Sequence, residues 1–286
     1  MKTKDLERAL DSRPSTSQEA VALLGAALGN RYASVVVKAV RRLGEWQVAG
    51  MKSELLAAYA RFLVEPVKRD PACRAKTAIL RHLRAQGSAD HEFFLKALSY
   101  RQLEATSDGS EDTAAELRGV AALGLAECGW RDASEYLLPL LVDSEPAARL
   151  SGVRALAASG EALVLRLKAL QGDEHPEVTG ECLESLLEME GERAVSFVAD
   201  FLTRSDELCE LAALALGGSR RASAFAPLRD ALERRLRLRG TILVALATLR
   251  DPDADAFLRQ LVEQEAPGIE ALRPFGLLPE VDEQEM

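Results

Sequence analysis

The feature that most constrains the fold is a period of 31 residues in the middle of the chain. The period appears in two sets of residues: Gly129, Gly160 and Gly191, and Leu125, Leu156 and Leu187. In each copy an apolar helical stretch runs past the leucine and stops at the glycine. Helical units of this length cannot bury their apolar faces alone and must stack on their neighbours. The period therefore predicts one helical array rather than two ordinary domains.

The stretch from 141 to 160 shows how one copy is built. An apolar helix ends in a turn that carries Asp143, and Pro146 opens the next helix, where its fixed φ and missing N–H cost nothing. A helix of small residues then runs to Gly160. Apolar residues make up 48% of the chain and aromatic residues only 5%. This composition favours thin, closely packed helices over a β-rich core, so the predicted fold class is all-α.

The same device predicts about seven antiparallel helix pairs. The predicted pairs are 16–28 with 33–44, 51–64 with 71–85, 90–95 with 112–129, 133–142 with 146–159, 162–170 with 176–189, 193–202 with 207–216, and 224–232 with 236–249. A helix at 254–263 is expected to cap the array. We therefore expect a single domain over residues 1–264, followed by a loosely held, Pro-containing acidic tail over residues 265–286.

A second recurring feature is an acid six residues before a base. The pairs are Asp70 and Lys76, Asp112 and Arg118, Asp143 and Arg149, and Glu233 and Arg239. The acid lies in the turn, where it can cap the N–H groups at the start of the next helix. The spacing predicts a structural row of ion pairs. Gly180 and Glu207 occupy the expected base positions of the next two copies, so the row is expected to break there.

These residues resemble the HEAT-repeat family, including its short bacterial HEAT-like and lyase-like members. The resemblance lies in Asp143, Arg149, Leu156 and Gly160, with partial matches at Asp112, Arg118, Leu125 and Gly129, and at Asp70, Lys76, Leu83 and Gly87. It covers about residues 17–261. It implies a right-handed α-solenoid, with second helices along the concave face and bases that bridge the acid of their own or the next repeat.

Charge is unevenly distributed along the chain. The net charge is +7 for residues 1–100, −14 for residues 101–217 and −2 for residues 218–286, within an overall −9. This segregation indicates two differently charged surfaces, or drift on solvated faces. Bases concentrate on two second helices, and Lys38, Arg41 and Arg81 are candidate partner-binding residues there. Aromatic residues for base stacking are few nearby, so a nucleic-acid partner is not favoured.

The most unusual segment is the interruption at residues 99–111, which lengthens the third repeat. Insertions in helical arrays emerge as loops, and long loops often carry function. Tyr100, Arg101 and Gln102 are the candidate partner-binding residues of this loop. The polar run before Gly109 predicts an exposed turn with few apolar anchors, so trimming it is expected to cost little stability.

Other chemistry leaves no signature in the sequence. The four cysteines and three histidines share no ligand spacing, so we expect no metal and no cofactor. No phosphate loop, zinc-protease motif or nucleophile elbow is present. No run reaches the roughly 20 apolar residues that a membrane span needs, and no secretion signal opens the chain, which predicts a cytoplasmic protein.

These features together favour a non-enzymatic interaction scaffold. It would bind a protein or peptide along its concave face and the 99–111 loop. The resemblance leaves two other activities open: a bilin-lyase-like subunit that handles a chromophore and its protein, and a HEAT-like alkylpurine DNA glycosylase. The acidic middle of the chain argues against a DNA groove along the whole array.

Overall fold

The computed structural model describes residues 3–88, 90–107, 109–264 and 266–277. These residues are predominantly helical, with one two-stranded sheet, and the all-α prediction is confirmed. The chain divides into two compact units, Met1–Ala158 (unit 1) and Ser159–Met286 (unit 2). No helix in the described ranges is both long and apolar enough to cross a membrane.

The described residues of unit 1 form ten α-helices and a hairpin. Its helices are α1 (Thr3–Ala9), α2 (Ser17–Leu28), α3 (Ala33–Trp46), α4 (Lys52–Phe62), α5 (Pro66–Arg69), α6 (Arg74–Ala85), α7 (His91–Leu98), α8 (Ala115–Glu127), α9 (Ala133–Leu137) and α10 (Pro146–Ala158). The strands are β1 (Leu103–Thr106) and β2 (Gly109–Asp112). Two 3₁₀ helices, Pro71–Cys73 and Leu138–Val142, precede α6 and α10.

Helices of unit 1 pack in two layers. First-layer α2, α4 and α7 lie against second-layer α3, α6 and α8, and the second-layer helices α3, α6, α8 and α10 contact one another in chain order. A capping box opens α2, where Thr16 and Glu19 exchange two side-chain-to-backbone hydrogen bonds of 3.2 Å. Buried leucine, alanine and valine fill the space between the layers.

Seven α-helices lie in the part of unit 2 that the structure describes. They are α11 (Ala162–Gln171), α12 (Pro176–Glu190), α13 (Glu192–Ala199), α14 (Asp206–Ser219), α15 (Phe225–Arg234), α16 (Arg239–Leu249) and α17 (Pro252–Glu263). The 3₁₀ helices of this unit are Asp200–Thr203, Ala222–Ala224, Leu236–Leu238 and Ile269–Phe275. Here α11, α13 and α15 pair with α12, α14 and α16, and the latter three contact in succession.

Glycine has two different uses in this fold. Gly160 follows α10 at φ 84°, a left-handed conformation that ends the helix without a Cβ clash, as its place in the period predicts. Gly217 instead lies inside α14 with ordinary helical geometry. A Cβ at this position would collide with the backbone of Ala245, so α14 and α16 approach more closely than larger residues allow.

Part of the predicted tail is packed rather than loosely held. The 3₁₀ helix Ile269–Phe275 contacts α16, and Leu272 is fully buried. The side chain of Arg239 donates a hydrogen bond to the carbonyl oxygen of Pro267. Composition suggested a tail because Pro267 and Pro274 interrupt the helical pattern, but one buried leucine and one arginine anchor the segment. Residues 278–286 of the predicted tail lie outside the described residues.

Candidate functional site

The first acid–base pair, Asp70 with Lys76, is an ion pair in the core. Asp70 and Lys76 are both fully buried, and the Lys76 Nζ lies 2.9 Å from a carboxylate oxygen of Asp70. The same carboxylate accepts hydrogen bonds from the backbone N–H groups of Ala75 and Lys76, at 2.7 and 3.0 Å. Asp70 therefore caps the start of α6 and neutralises a buried ammonium group at once.

Arg118 is the centre of the second pair and joins two turns. Its Nη1 lies 2.7 Å from Asp112, while Nε and Nη2 donate to the two oxygens of Asp143 at 3.0 and 2.8 Å. Nη1 also donates to the carbonyl oxygen of Tyr100 at 3.1 Å. The guanidinium is fully buried. The base thus contacts the acid of its own repeat and that of the next, as the HEAT resemblance implies.

Asp143 and Arg149 meet in a different way from the first two pairs. Arg149 Nη1 donates to the carbonyl oxygens of Asp143 and Ser144, at 2.8 and 3.1 Å. The carboxylate of Asp143 is engaged by Arg118. Burial raises the pKa of Asp143, but hydrogen bonds from Arg118 and from the N–H of Glu145 outweigh burial, and the net shift is downward. Arg149 therefore holds the backbone of the turn.

The last predicted pair is wrong. Glu233 lies inside α15, not in a turn, and it is exposed. Arg239, at the start of α16, is held by Pro267 as described above. The spacing was satisfied by chance, because the turn between α15 and α16 begins only at Arg235.

The predicted break at Gly180 does not leave the turn before α12 without a cation. Lys168 at the end of α11 lies 2.8 Å from Asp173, and both side chains are buried. The base here precedes the acid by five residues instead of following it by six. The predicted spacing places the base after the acid, so it does not identify this pair.

The interruption at residues 99–111 forms a β-hairpin, and the residue just before its first strand is buried. Leu103 pairs with Asp112 and Thr106 with Gly109. Gln102, just before the hairpin, is only 2% exposed. Its side chain donates to the carbonyl oxygen of Asp70 at 2.9 Å, across 32 residues of chain. The turn itself is exposed at Thr106, Ser107 and Gly109, as predicted. The prediction of Gln102 as an accessible partner-binding residue is wrong, because its side chain forms hydrogen bonds in the core.

Glu104 is the second tie of the hairpin, and the sequence analysis missed it. One carboxylate oxygen accepts hydrogen bonds from the N–H of Ala72 at 2.6 Å, from Gln102 at 2.7 Å and from the Thr113 hydroxyl at 2.7 Å. Burial raises the pKa of Glu104, but these hydrogen bonds outweigh it and the net shift is downward. No local pattern marks the residue, because its contact with Ala72 spans 32 residues of chain.

Tyr100 also contributes to the buried side of the segment. The Lys76 ammonium lies 5.5 Å from the centre of its ring, a cation–π contact. Its hydroxyl donates to the side-chain oxygen of Gln102 at 3.0 Å. Burial, followed by the nearby Cys73 and Asp70, raises the pKa of Tyr100 to about 12, so the phenol stays protonated at neutral pH.

Arg101 is the one member of the predicted trio that is half exposed. Its side chain is 49% accessible, and Nη2 lies 2.8 Å from a carboxylate oxygen of Asp143. Nε lies 3.6 Å from Asp112. Two buried carboxylates therefore orient the guanidinium while one of its sides remains open to solvent.

The open side of Arg101 belongs to a groove with a volume of about 480 Å³. The groove lies between α7 and the segment formed by α9 and its following 3₁₀ helix. Its lining residues are Leu95, Leu98, Ser99, Arg101, Glu135, Tyr136, Pro139, Leu140 and Asp143. We call this the hairpin groove. It is mainly apolar, with one oriented cation and one exposed carboxylate, Glu135, at its edges.

Stacked rings support one wall of the hairpin groove. The ring of Tyr136 lies 5.1 Å from that of Trp130, which in turn stacks on His91 at 5.0 Å. Trp130 contacts α9 through Tyr136. Although one side of its ring packs against Trp130, Tyr136 remains 48% exposed.

The predicted basic surface of unit 1 is largely neutralised. Lys38 lies 2.7 Å from Asp11 and also donates to the carbonyl of Glu7, Arg41 lies 3.5 Å from Glu45, and Arg81 meets Glu116. Lys76, another base of α6, is buried and paired with Asp70. Among the described residues, no hydrogen bond or ion pair links Lys38, Arg41 or Arg81 to the hairpin groove. The structure thus does not bring the six predicted partner-binding residues together.

Two further arginines were missed because they cap carbonyl oxygens from a distance. Arg61 in α4 donates to the carbonyls of Leu28 and Asn30. Arg235 does the same in unit 2 for Leu202 and Arg204. Each arginine ties a helix end about one repeat earlier in the chain, a placement that no local motif indicates.

Within the described ranges, we find neither a reactive cysteine nor a metal site. All four cysteines are free, and burial raises the pKa of Cys73 to about 11 and that of Cys182 to about 12, so both stay protonated. Within the same ranges, no three His, Cys, Asp or Glu side chains are placed to hold a metal ion. The hairpin groove is therefore the candidate site.

No protein-family model and no curated protein matches this sequence. The function has to be inferred from the geometry of the chain itself.

Proposed function

We propose that the chain is a HEAT-like right-handed α-solenoid that acts as a non-enzymatic interaction scaffold. Support for the architecture comes from the 31-residue period and from the alternation of two helix layers within each unit. Arg118, which bridges two successive turn acids, adds a contact of the kind the resemblance implies. We also propose a cytoplasmic location, since four free thiols suit a reducing compartment.

The observation that carries the proposed function is the hairpin groove. Its size and apolar lining suit one or two apolar side chains of a peptide, with Tyr136 as an exposed aromatic contact. Arg101 can donate a hydrogen bond to a peptide carbonyl or carboxylate. Because Asp143 and Asp112 already fix its side chain, little conformational entropy is lost when it binds.

The rival activities are less well supported by the same observations. A DNA glycosylase needs unpaired cations along a backbone-binding face, and the cations of α3 and α6 other than Arg74 are paired with acids. A bilin-lyase-like role would use the same groove for a chromophore, and its mainly apolar lining leaves this the second candidate.

The test is selection of a displayed random-peptide library on the full-length chain. Selected peptides are then measured against Tyr136→Glu and Arg101→Gln by fluorescence anisotropy. Tyr32→Glu is the matched control, because Tyr32 is a similarly exposed tyrosine in the same unit, 44% accessible against 48%. We expect both groove variants to weaken binding by about tenfold or more, and Tyr32→Glu to leave it unchanged.

Peptides that bind all three variants equally well would place the binding surface elsewhere. Failure to enrich any peptide would also refute peptide binding at this groove. Circular dichroism of each variant shows whether the fold is retained, which matters for Arg101 because it contacts the buried Asp143.

A further inference from the structure

Helix α11 of unit 2 has an outer side that consists mainly of leucine. Its exposed positions are Leu163, Leu167, Leu170 and Gln171, and the three leucine side chains are 82%, 68% and 53% accessible. The opposite side of the helix, which includes Leu165, is buried. A helix that is apolar on all sides is normally covered on all sides. We call Leu163, Leu167 and Leu170 the leucine face, which the described part of the chain leaves open.

The leucine face carries no charge of its own. Helix α11 lies wholly within the described ranges, and both of its charged side chains are engaged elsewhere. Arg166 meets Glu190 on α12, and the buried Lys168 lies 2.8 Å from Asp173. An anionic membrane and a nucleic acid both need cations on the surface that they contact. The leucine face offers them none, so its complement is another uncharged, apolar surface.

The other first-layer helices of unit 2 face solvent with charged residues. Exposed positions of α13 include Glu192 and Arg193, and those of α15 include Arg229 and Glu233. Water solvates such side chains well, whereas neighbouring leucines on successive helical turns are unfavourable in water. Contiguous apolar patches on a protein surface mark interaction sites. Within this layer of unit 2, α11 is therefore the helix that carries a surface for a partner.

The spacing of the leucine face matches the seam of a coiled coil. Leu167 follows Leu163 by four residues and precedes Leu170 by three, which is the d–a–d spacing of a heptad. Two identical helices with this seam pack their leucines between one another, so each copy already carries the complement of the other. In an antiparallel two-fold arrangement, Leu163 of one copy lies against Leu170 of the other, and the two Leu167 side chains meet near the axis.

We infer that the leucine face is the surface through which two copies of this chain associate, as a two-fold pair of α11 helices. Interfaces between identical chains are more apolar and poorer in charged residues than those with transient partners, and the leucine face has this composition. The face covers about two helical turns. Such a contact is smaller than the roughly 1,200 Å² of a stable complex, so the dimer is weak and depends on concentration. The inference concerns unit 2 alone and does not rest on peptide binding at the hairpin groove.

The first test is sedimentation velocity of the full-length chain over a range of concentrations. We expect a monomer–dimer equilibrium with a Kd of roughly 10–100 μM. Leu167→Glu places two like charges near the axis and should weaken the dimer by about tenfold or more. Leu236→Glu is the matched control, because Leu236 is a leucine of the same unit that is 73% exposed. It should change the Kd by about twofold or less.

The inference is overturned if the chain stays monomeric at about ten times this concentration range. It is also overturned if Leu167→Glu, still folded by circular dichroism, dimerises as well as the wild type, or if Leu236→Glu weakens the dimer equally. Added sodium chloride separates the two kinds of attraction. An apolar interface keeps its Kd as salt rises, whereas a dimer held by exposed charges dissociates and would contradict the role of the leucine face.

The second test is a disulfide placed at the proposed axis. Leu167→Cys should form a covalent dimer under mild oxidation, because a disulfide requires Cα atoms within about 7 Å of each other. Leu236→Cys is the control and should remain mainly uncrosslinked. The wild-type chain, whose four cysteines are free, gives the background. A dimer in which Leu167→Cys crosslinks no more than Leu236→Cys would overturn the two-fold pairing of α11.

Discussion

The two units use the same helix-pair design, but unit 1 adds contacts that connect distant segments. Both units have a buried lysine–aspartate pair and an arginine that caps carbonyl oxygens: Lys76 with Asp70 and Arg61 in unit 1, and Lys168 with Asp173 and Arg235 in unit 2. In unit 1, Arg118 also joins two turn acids in the core, and Gln102 and Glu104 connect the hairpin to the turn at Asp70. Unit 1 therefore uses its acids internally. Unit 2, although rich in acids, leaves most of those on α12 and α14 at the surface.

This difference shows why net charge along a sequence is a poor guide to a binding face. The bases of residues 1–100 were expected to form a positive surface, but the fold pairs Lys38, Arg41 and Arg81 with acids. The acids of α12 and α14 also find bases outside their own helices, since Glu190 lies against Arg166 and Asp206 lies 3.4 Å from Arg235. Only the folded arrangement shows which charges are paired.

Substitution of Arg118 is expected to have the largest effect on the stability of unit 1, because this side chain joins two turns. Arg118→Ala removes the buried cation shared by Asp112 and Asp143 and leaves them only the half-exposed Arg101, so unit 1 should lose about 3–5 kcal/mol of unfolding free energy. Urea unfolding followed by tryptophan fluorescence measures this loss, since Trp46 and Trp130 both belong to unit 1. Arg41→Ala, which removes an exposed ion pair, should cost less than about 1 kcal/mol. Equal losses for the two variants would contradict the role assigned to Arg118.

Gln102→Ala tests whether the hairpin is a structural part of unit 1. The substitution leaves the carbonyl oxygen of Asp70 without this donor in a buried setting, so we expect a loss of about 1–3 kcal/mol. The same urea experiment applies. Gln171→Ala, at an exposed position of unit 2, is the control and should be nearly neutral. A neutral Gln102→Ala would restore the sequence-based view of a dispensable loop.

In unit 2 the most sensitive position that we identify depends on helix packing, where Gly217 of α14 lies against α16. Gly217→Ala places a methyl group against the backbone of Ala245, and we expect it to cost about 1–3 kcal/mol. Gly218→Ala, one residue on, meets open space and should stabilise the helix by up to about 1 kcal/mol. Thermal unfolding by circular dichroism distinguishes them. Shifts of the same sign would refute the close approach of α14 and α16.

The smallest expected effect is a pH dependence specific to unit 1. The pKa values of Asp143 and Glu104 are lower in the folded state than their ordinary values of 3.8 and 4.5. Such groups stabilise the fold above the ordinary values, and this contribution is lost as pH falls through the lowered pKa values. The tryptophan signal should therefore begin to change below about pH 4.5, where unfolded carboxyl groups bind protons. Asp143→Asn should flatten this part of the profile, and an unchanged profile would exclude Asp143 as a cause.

Much of the fold could be predicted from sequence because its determinants are local. Gly160 ends α10 because only a residue tolerant of positive φ suits that position, and Pro146 begins the same helix. The pairs at Asp70 and Asp112 follow from the geometry of one turn and the helix after it. Each of these features is complete within a few residues.

The rest of the candidate site could not be predicted from the sequence, because it depends on contacts between distant segments. Glu104 and Thr113 look like ordinary polar residues until the hairpin brings them to Ala72. Tyr136 joins the hairpin groove only because Trp130 supports it. The strand β1 has too little alternation of apolar and polar residues to be recognised, since side-chain hydrogen bonds fix it in place of a buried face.

The ties from Gln102 to Asp70 and from Glu104 to Ala72 also determine the order in which this region can fold. Each spans 32 residues, so the turn before α6 cannot be completed until the hairpin has left the ribosome. Contacts of such separation form late, after local helices, because loop closure must come first. Once formed, they make two distant segments open together, and the amide hydrogens of residues 70–76 and 102–113 should exchange with solvent as one cooperative unit.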